Sequence, residues 1–382
     1  MDRKPRARRA LPLIGAALTL VIAVSVLYLR TGTPSIDAGP VRPAPTPIPH
    51  LSGSYRTTFD FVDPSHGWAL ILEYIRPGRL WIFATADGAR HWRRQFGTTA
   101  YVGADHGPPT NIYIHFFDAR SGFAYAGDLY RTVDGGAHWD LVKTPTGGQL
   151  FAFASATRAW ILPEDWSVPP HLYTTDDGGI TWSAIPTPLP PGLNPQPFAG
   201  FGFRDDGEGW LGAALDRPAV YLTLDGGASW KSVTIPIGAQ PHIDVYYTSV
   251  RVLPGHGVLA LVISPQGFGA GYYSDDAGQS WRQVAPVLPA PDWLADASFV
   301  DATHWWVARF GFLYKTSTAG RDWARVLVRD MPGGWSIEAV HVIDADHAWW
   351  SMISTSDSRD SALMMTSDGG AYWRAVNMPQ PS

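Results

Sequence analysis

The sequence contains no cysteine, which excludes disulfides, zinc–thiolate sites, a lipidated-cysteine anchor and a cysteine nucleophile together. Glutamate is scarce, at Glu73, Glu164, Glu208 and Glu338. A glycosidase needs two positioned carboxylates. Glu164, Asp165, Asp292 and Asp296 are the irregular-segment carboxylates that could serve, and solvated surface charge is the simpler reading of them. Charged residues are only 16% of the chain, with a net charge of −5. Arg3, Lys4, Arg6, Arg8, Arg9 and Arg30 all precede position 31, so the remainder of the chain is more acidic than that figure. An acidic body without clustered Lys/Arg does not track a phosphate backbone, which argues against nucleic acid as a partner. The histidines include no His-x-x-x-His pair, and His66, His256, His304 and His347 share one motif position, as turn residues do. No metal or other cofactor, and no catalytic residue, is expected.

Apolar residues reach 45%, with 39 glycines and 33 prolines, which suits many short strands joined by tight turns. The N-terminus is organised differently. Residues 1–9 are basic, and Ala10 to Leu29 run twenty positions without a charge. At ~1.5 Å per residue that run spans a ~30 Å hydrocarbon core as a helix. An uncleaved transmembrane signal anchor is favoured over a cleaved signal peptide, because the run is long and no Ala-x-Ala-like site follows it. Basic residues before the helix keep the N-terminus cytoplasmic and place the rest on the extracytoplasmic side of the cytoplasmic membrane. Residues 30–50 carry six prolines and read as a semi-rigid spacer.

Beyond the spacer one element recurs seven times: TADGARHW (85–92), TVDGGAHW (132–139), TDDGGITW (175–182), TLDGGASW (223–230), SDDAGQSW (274–281), TSTAGRDW (316–323) and TSDGGAYW (366–373). Successive copies lie 42 to 51 residues apart, the period of a four-stranded propeller blade. A second motif precedes each box, as in FVDPSHGW (61–68) and FRDDGEGW (203–210), and reads as strand, turn, strand. The expected unit is strand, turn, strand, variable loop, strand, box, strand. The expected fold is all-β: a seven-bladed β-propeller with four antiparallel strands per blade over residues 51–382, behind an N-terminal transmembrane helix.

In each box the carboxylate of Asp87, Asp134, Asp177, Asp225, Asp276 or Asp368 can accept turn amides, and the glycine two residues later can take positive φ. Trp92, Trp139, Trp182, Trp230, Trp281, Trp323 and Trp373 are expected to bury their rings between sheets. Ala89 stands for glycine in the first box and Thr318 for aspartate in the sixth, so looser turns are expected there. Ring closure needs no strand exchange, although residues 52–58 could add a strand to the last blade.

The S/T-x-D-x-G-x-x-W boxes resemble the BNR or Asp-box repeats of sialidases, sortilin-type receptors and photosystem II assembly factors. Paired with the F-x-D-x-x-x-G-W half in every unit, they are most similar to photosystem II stability and assembly factor propellers. That resemblance implies a non-enzymatic scaffold that assists a membrane complex, with a protein subunit or a glycan as partner. The rival it raises is a sialidase-like or other extracellular glycoside hydrolase. A sialidase would need an arginine triad, a Tyr/Glu pair and an Arg-Ile-Pro motif, which Tyr74-Ile75-Arg76-Pro77 only scrambles.

Antiparallel order places both motifs at one end of each blade and the irregular segments at the other. Function concentrates on such loops. Tyr101, Trp166, Asp292, Trp293, Trp335 and Arg359 are the candidate partner contacts there, with roofing of the core as the plainer role of the tryptophans.

Overall fold

The strand segments are rich in β-branched and aromatic residues and are cut by Gly- and Asp-bearing turns, so short antiparallel hairpins are the natural outcome. The computed structural model describes residues 48–381 apart from 74–77, 100–111, 147–148, 164–170, 190–199, 238–244, 265–268, 285–296, 310–311, 327–333 and 357–359. The expected transmembrane span at 10–29 lies outside these residues. Among the described residues no helix is long and apolar enough to cross a membrane.

Seven antiparallel sheets follow one another along the chain, each built on four strands paired in chain order. The first comprises Tyr55–Phe61, Gly67–Glu73, Arg79–Thr85 and Arg93–Thr99, paired in that order. Turn, variable loop and box fall between these strands as the repeat predicts. First strands of adjoining blades touch, as Tyr55–Phe61 does Tyr113–Phe116 on one side and Trp335–Val342 on the other, so they converge on a central channel.

Two indole sets hold the junctions. The tryptophan ending the first-turn motif is fully buried and stacks on the motif phenylalanine of the next blade: Trp68 on Phe116 at 3.5 Å, Trp160 on Phe203 at 4.0 Å, and Trp349 of the last blade on Phe61 of the first at 3.9 Å, all within 7° of parallel. The box tryptophan meets that phenylalanine edge-on, as Trp139 does Phe116 and Trp230 does Phe203. The expectation that box indoles are buried is therefore corrected in degree. Trp373 is buried, whereas Trp92, Trp139, Trp182, Trp230, Trp281 and Trp323 are half-buried, because they cap the sandwich from the rim.

Closure also differs from expectation. Residues 55–61 form the first strand of the first blade, where Phe59 and Phe61 are needed against Trp92 and Trp349. The latch is His50–Leu51, whose partners Ala362 and Ser361 extend the same edge of Ser361–Ser367 that Arg374–Val376 pairs further along. Leu51 is buried, and Trp92 Nε1 donates to the Asn377 carbonyl at 2.8 Å across the seam. The propeller thus begins at residue 50, inside the stretch read as spacer.

One junction carries an unexpected pairing. Ala214–Leu215, just beyond the second strand of blade four, pairs Tyr246–Tyr247 of blade five on the edge facing the channel. Gly212 permits it, since a Cβ there would collide with the Thr248 carbonyl oxygen.

Candidate functional site

The box carboxylates are the most regular polar groups in the molecule, and the turns use them fully. In the second box Asp134 Oδ1 accepts from the Thr132 hydroxyl at 3.0 Å and the His138 amide at 2.9 Å, while Oδ2 lies 2.6 Å from His138 Nδ1. Those bonds from the His138 amide and imidazole hold Asp134 down at about 2, and the same contact raises His138. Hydrogen bonds from Thr181 and from Ser229 likewise hold Asp177 and Asp225 at about 2. At Asp87 burial pushes the carboxyl up, but the His91 and Thr85 bonds outweigh it and bring it to about 2. The first-turn aspartates act similarly: Asp63 accepts from the amides of Ser65 and His66, with His66 Nδ1 at 2.8 Å, and Asp301 and Asp344 repeat this with His304 and His347. These histidines are turn residues, as their motif position indicates.

The two substituted boxes keep the common shape. Ala89 takes φ +66° and its amide still donates to the Thr85 hydroxyl at 3.0 Å. Thr318 accepts from the Asp322 amide at 2.9 Å in place of the carboxylate. Residue seven of five other boxes explains the exchange: the side chains of His91, His138, Thr181, Ser229 and Ser280 meet the aspartate, Tyr372 gives it only its amide, and Asp322 would face it with a second carboxylate. The expected loosening is not seen in either turn.

The fourth box residue is a junction that the motif reading missed. Its amide donates to the first turn of its own blade, as Gly88 to Ser65, Gly135 to Arg120, Gly178 to Thr157 and Gly226 to Gly207. Its carbonyl accepts from the preceding blade: Trp68 and Gln95 on Gly135, Trp160 on Gly226, Trp210 on Ala277, Arg282 on Ala319 and Lys315 on Gly369. Positive φ at this position, +74° at Gly135 and +60° even at Ala277, turns the peptide to serve both. The two motifs do share one end of every blade.

The first strands carry a further set into the channel. The residue before the motif aromatic holds the same register in every blade: Asp60 opposite Trp68, His115 opposite Phe123, Ala152 opposite Trp160, Gly202 opposite Trp210, Arg251 opposite Leu259, Ser298 opposite Trp306 and His341 opposite Trp349. Asp60 is buried, accepts the Phe116 amide at 2.5 Å, and has His115 and His341 each at 3.5 Å. In the first strand of the last blade, three residues before His341, Glu338 lies at a bulge between Ile337 and Ala339. Its side chain is open to channel water yet crowded by protein, and that burial pushes its carboxyl up, against the Ser351 hydroxyl and Arg56. Among the described residues no cluster of three or more His, Asp or Glu side chains is arranged to hold a metal ion.

Of the loop candidates, Trp335 starts the first strand of the last blade, half-buried, with its ring 5.9 Å from that of His50. It roofs the closure. Tyr101, Trp166, Asp292, Trp293 and Arg359 lie outside the described residues, as do Glu164, Asp165 and Asp296.

Residues 173–184 and 272–283 match the BNR/Asp-box repeat family. The chain carries BNR/Asp-box repeats. No curated protein sequence matches it. Among solved structures it is similar to YCF48 bound to D1 peptide, at 15% identity and TM-score 0.51, over 84% of this chain and 99% of that one. YCF48 from Cyanidioschyzon merolae shares 22% identity at TM-score 0.49, over 72% and 86%. A puromycin-hydrolyzing peptidase of Mycobacterium tuberculosis aligns at TM-score 0.59 and 11% identity, over 86% of this BNR-repeat chain and 54% of the peptidase. The BNR-repeat chain thus shares a propeller architecture with proteins of different activities, and identities this low speak to the fold alone.

Proposed function

We propose that the protein is a non-enzymatic binding scaffold, anchored in the cytoplasmic membrane with its propeller on the extracytoplasmic side, that aids assembly or stability of a membrane protein complex. The observation that carries this reading is how the repeated polar groups are used. Box aspartates, first-turn aspartates and motif indoles are committed to their own turns and to the adjoining blade, so the repeats build a frame, and recognition falls to the unpatterned connections at the other end. A propeller of the same fold solved with a peptide bound supports a protein partner. The charge-free run at 10–29 and the basic residues before it support the anchor and its orientation.

The test is affinity capture with the full-length chain from its own membranes, with quantitative mass spectrometry. The scaffold reading expects one membrane protein or complex to be enriched, and to be lost when residues 285–296 are replaced by a Gly/Ser segment of equal length. Recovery of no partner, together with turnover of a glycoside panel, would favour the hydrolase instead.

A further inference from the structure

Arg251 is the channel-ring residue that the frame does not account for. At three junctions the equivalent side chain bonds the first-strand peptide of the next blade. Asp60 accepts the Phe116 amide, Ser298 Oγ accepts the Val342 amide at 2.9 Å, and His341 Nε2 lies 2.9 Å from the Phe61 carbonyl oxygen. A guanidinium has five N–H donors and no acceptor, so it cannot take up an amide in that way. The hydrogen bond it makes among the described residues is from Nη1 to the Val250 carbonyl of its own strand, at 3.2 Å.

Its electrostatic setting is equally incomplete. Among the described residues no carboxylate stands within ion-pair distance of Arg251, while Arg158, Arg204 and several histidines have theirs. The side chain keeps partial contact with channel solvent but is enclosed by protein on nearly all sides, and burial alone pushes its pKa down. A cation held this way is strongly disfavoured unless an anion comes to it. The preceding ring positions, Gly202 and Ala152, offer no polar side chain to compete, and the Ser298 hydroxyl on the other side is taken by Val342. Asp60, the acid of the ring, is committed to the Phe116 amide and flanked by two imidazoles, which tempers its repulsion of an incoming anion.

We propose that Arg251 is the anion-binding residue of the central channel and that its ligand is a carboxylate, or an inorganic oxyanion of similar size, approaching along the channel axis. The planar guanidinium fork matches such oxygens in pairs. This inference does not rest on the scaffold reading, since a free ion would satisfy Arg251 as well as a carboxylate presented by a partner.

Full-length protein is titrated by calorimetry with acetate, with inorganic phosphate, and with one short peptide prepared with a free or an amidated C-terminus. At least one probe binds the wild type, Arg251→Gln weakens it by about tenfold or more, Arg251→Lys keeps part of the affinity, and Ser298→Ala leaves it unchanged. Acetate or phosphate binding identifies a free ion as sufficient. Binding of the free-terminus peptide alone identifies a presented carboxylate, and both results support the site. Equal binding to wild type and Arg251→Gln marks an adventitious ion only and overturns the proposal. Failure of every probe on the wild type overturns it too, and Arg251→Lys covers the case in which the glutamine variant does not fold.

Discussion

Replacing Trp160 tests whether stacked indoles carry the blade junctions. The ring is fully buried, lies 4.0 Å from Phe203 and within 5° of parallel to it, and donates through Nε1 to the Gly226 carbonyl at 3.1 Å. Trp160→Ala removes the stack, leaves a cavity between two blades and strands that carbonyl, at a cost of about 3–5 kcal/mol. Trp160→Phe keeps a stacking ring and loses the N–H and part of the volume, at about 1–2 kcal/mol. Blade two shows that the smaller ring is compatible with the frame, because Phe123 stacks there on Phe153 at 4.6 Å. Urea unfolding followed by far-ultraviolet circular dichroism measures both variants, compared at unchanged m-value. The reasoning is refuted if the alanine variant loses less than about 1 kcal/mol, or if phenylalanine costs as much as alanine.

Thermal unfolding across pH reads the box carboxylates: held at about 2 in the folded chain, Asp134, Asp177 and Asp225 stabilise it above their ordinary range and lose that contribution as pH falls from about 4 toward 2. Tm should not drop between about pH 7 and pH 5, where protonation of the raised His138 acts slightly in favour of folding, and a drop beginning above about pH 5 would count against the assignment. In box six, Thr318→Asp alone should lower stability, and Thr318→Asp with Asp322→Ser should recover at least roughly 0.5 kcal/mol in a double-mutant cycle; additive effects would show that the two positions do not interact. Gly179→Ala should cost about 1–2 kcal/mol by chemical denaturation, since φ is +89° and a Cβ would lie 2.6 Å from Val142 Cγ1. Leu51→Ala should cost about 2–4 kcal/mol by the same measurement, and a silent substitution would mean that His50–Leu51 does not fasten the ring.

The blade count and the shared end of both motifs were legible because Asp, Gly and Trp repeat where the backbone demands them. The fourth box residue was not, since its function belongs to its peptide group: glycine in five boxes, alanine in two, with no side chain to advertise it. The residue before the motif aromatic was equally hidden, because its identity changes from acid to imidazole, methyl, hydrogen, guanidinium and hydroxyl around the ring. Only strand register shows that Asp60 and Arg251 are equivalent. The sixth box could have been explained from sequence, by noticing that Asp322 stands where five other boxes carry His, Thr or Ser and the last carries Tyr372. The latch at His50–Leu51 offers too little pattern to be recognised before the partner edge at Ser361–Ala362 is seen.

That latch also decides how the molecule responds to tension. Any pull transmitted through the residues before position 48 arrives first at two paired residues on the rim of blade seven. Only after they part does load reach the seven-residue strand Tyr55–Phe61, whose rings are wedged against Trp349. A two-residue pairing is thus in series with the seam, and a force applied from the N-terminal side loads that junction before the other six.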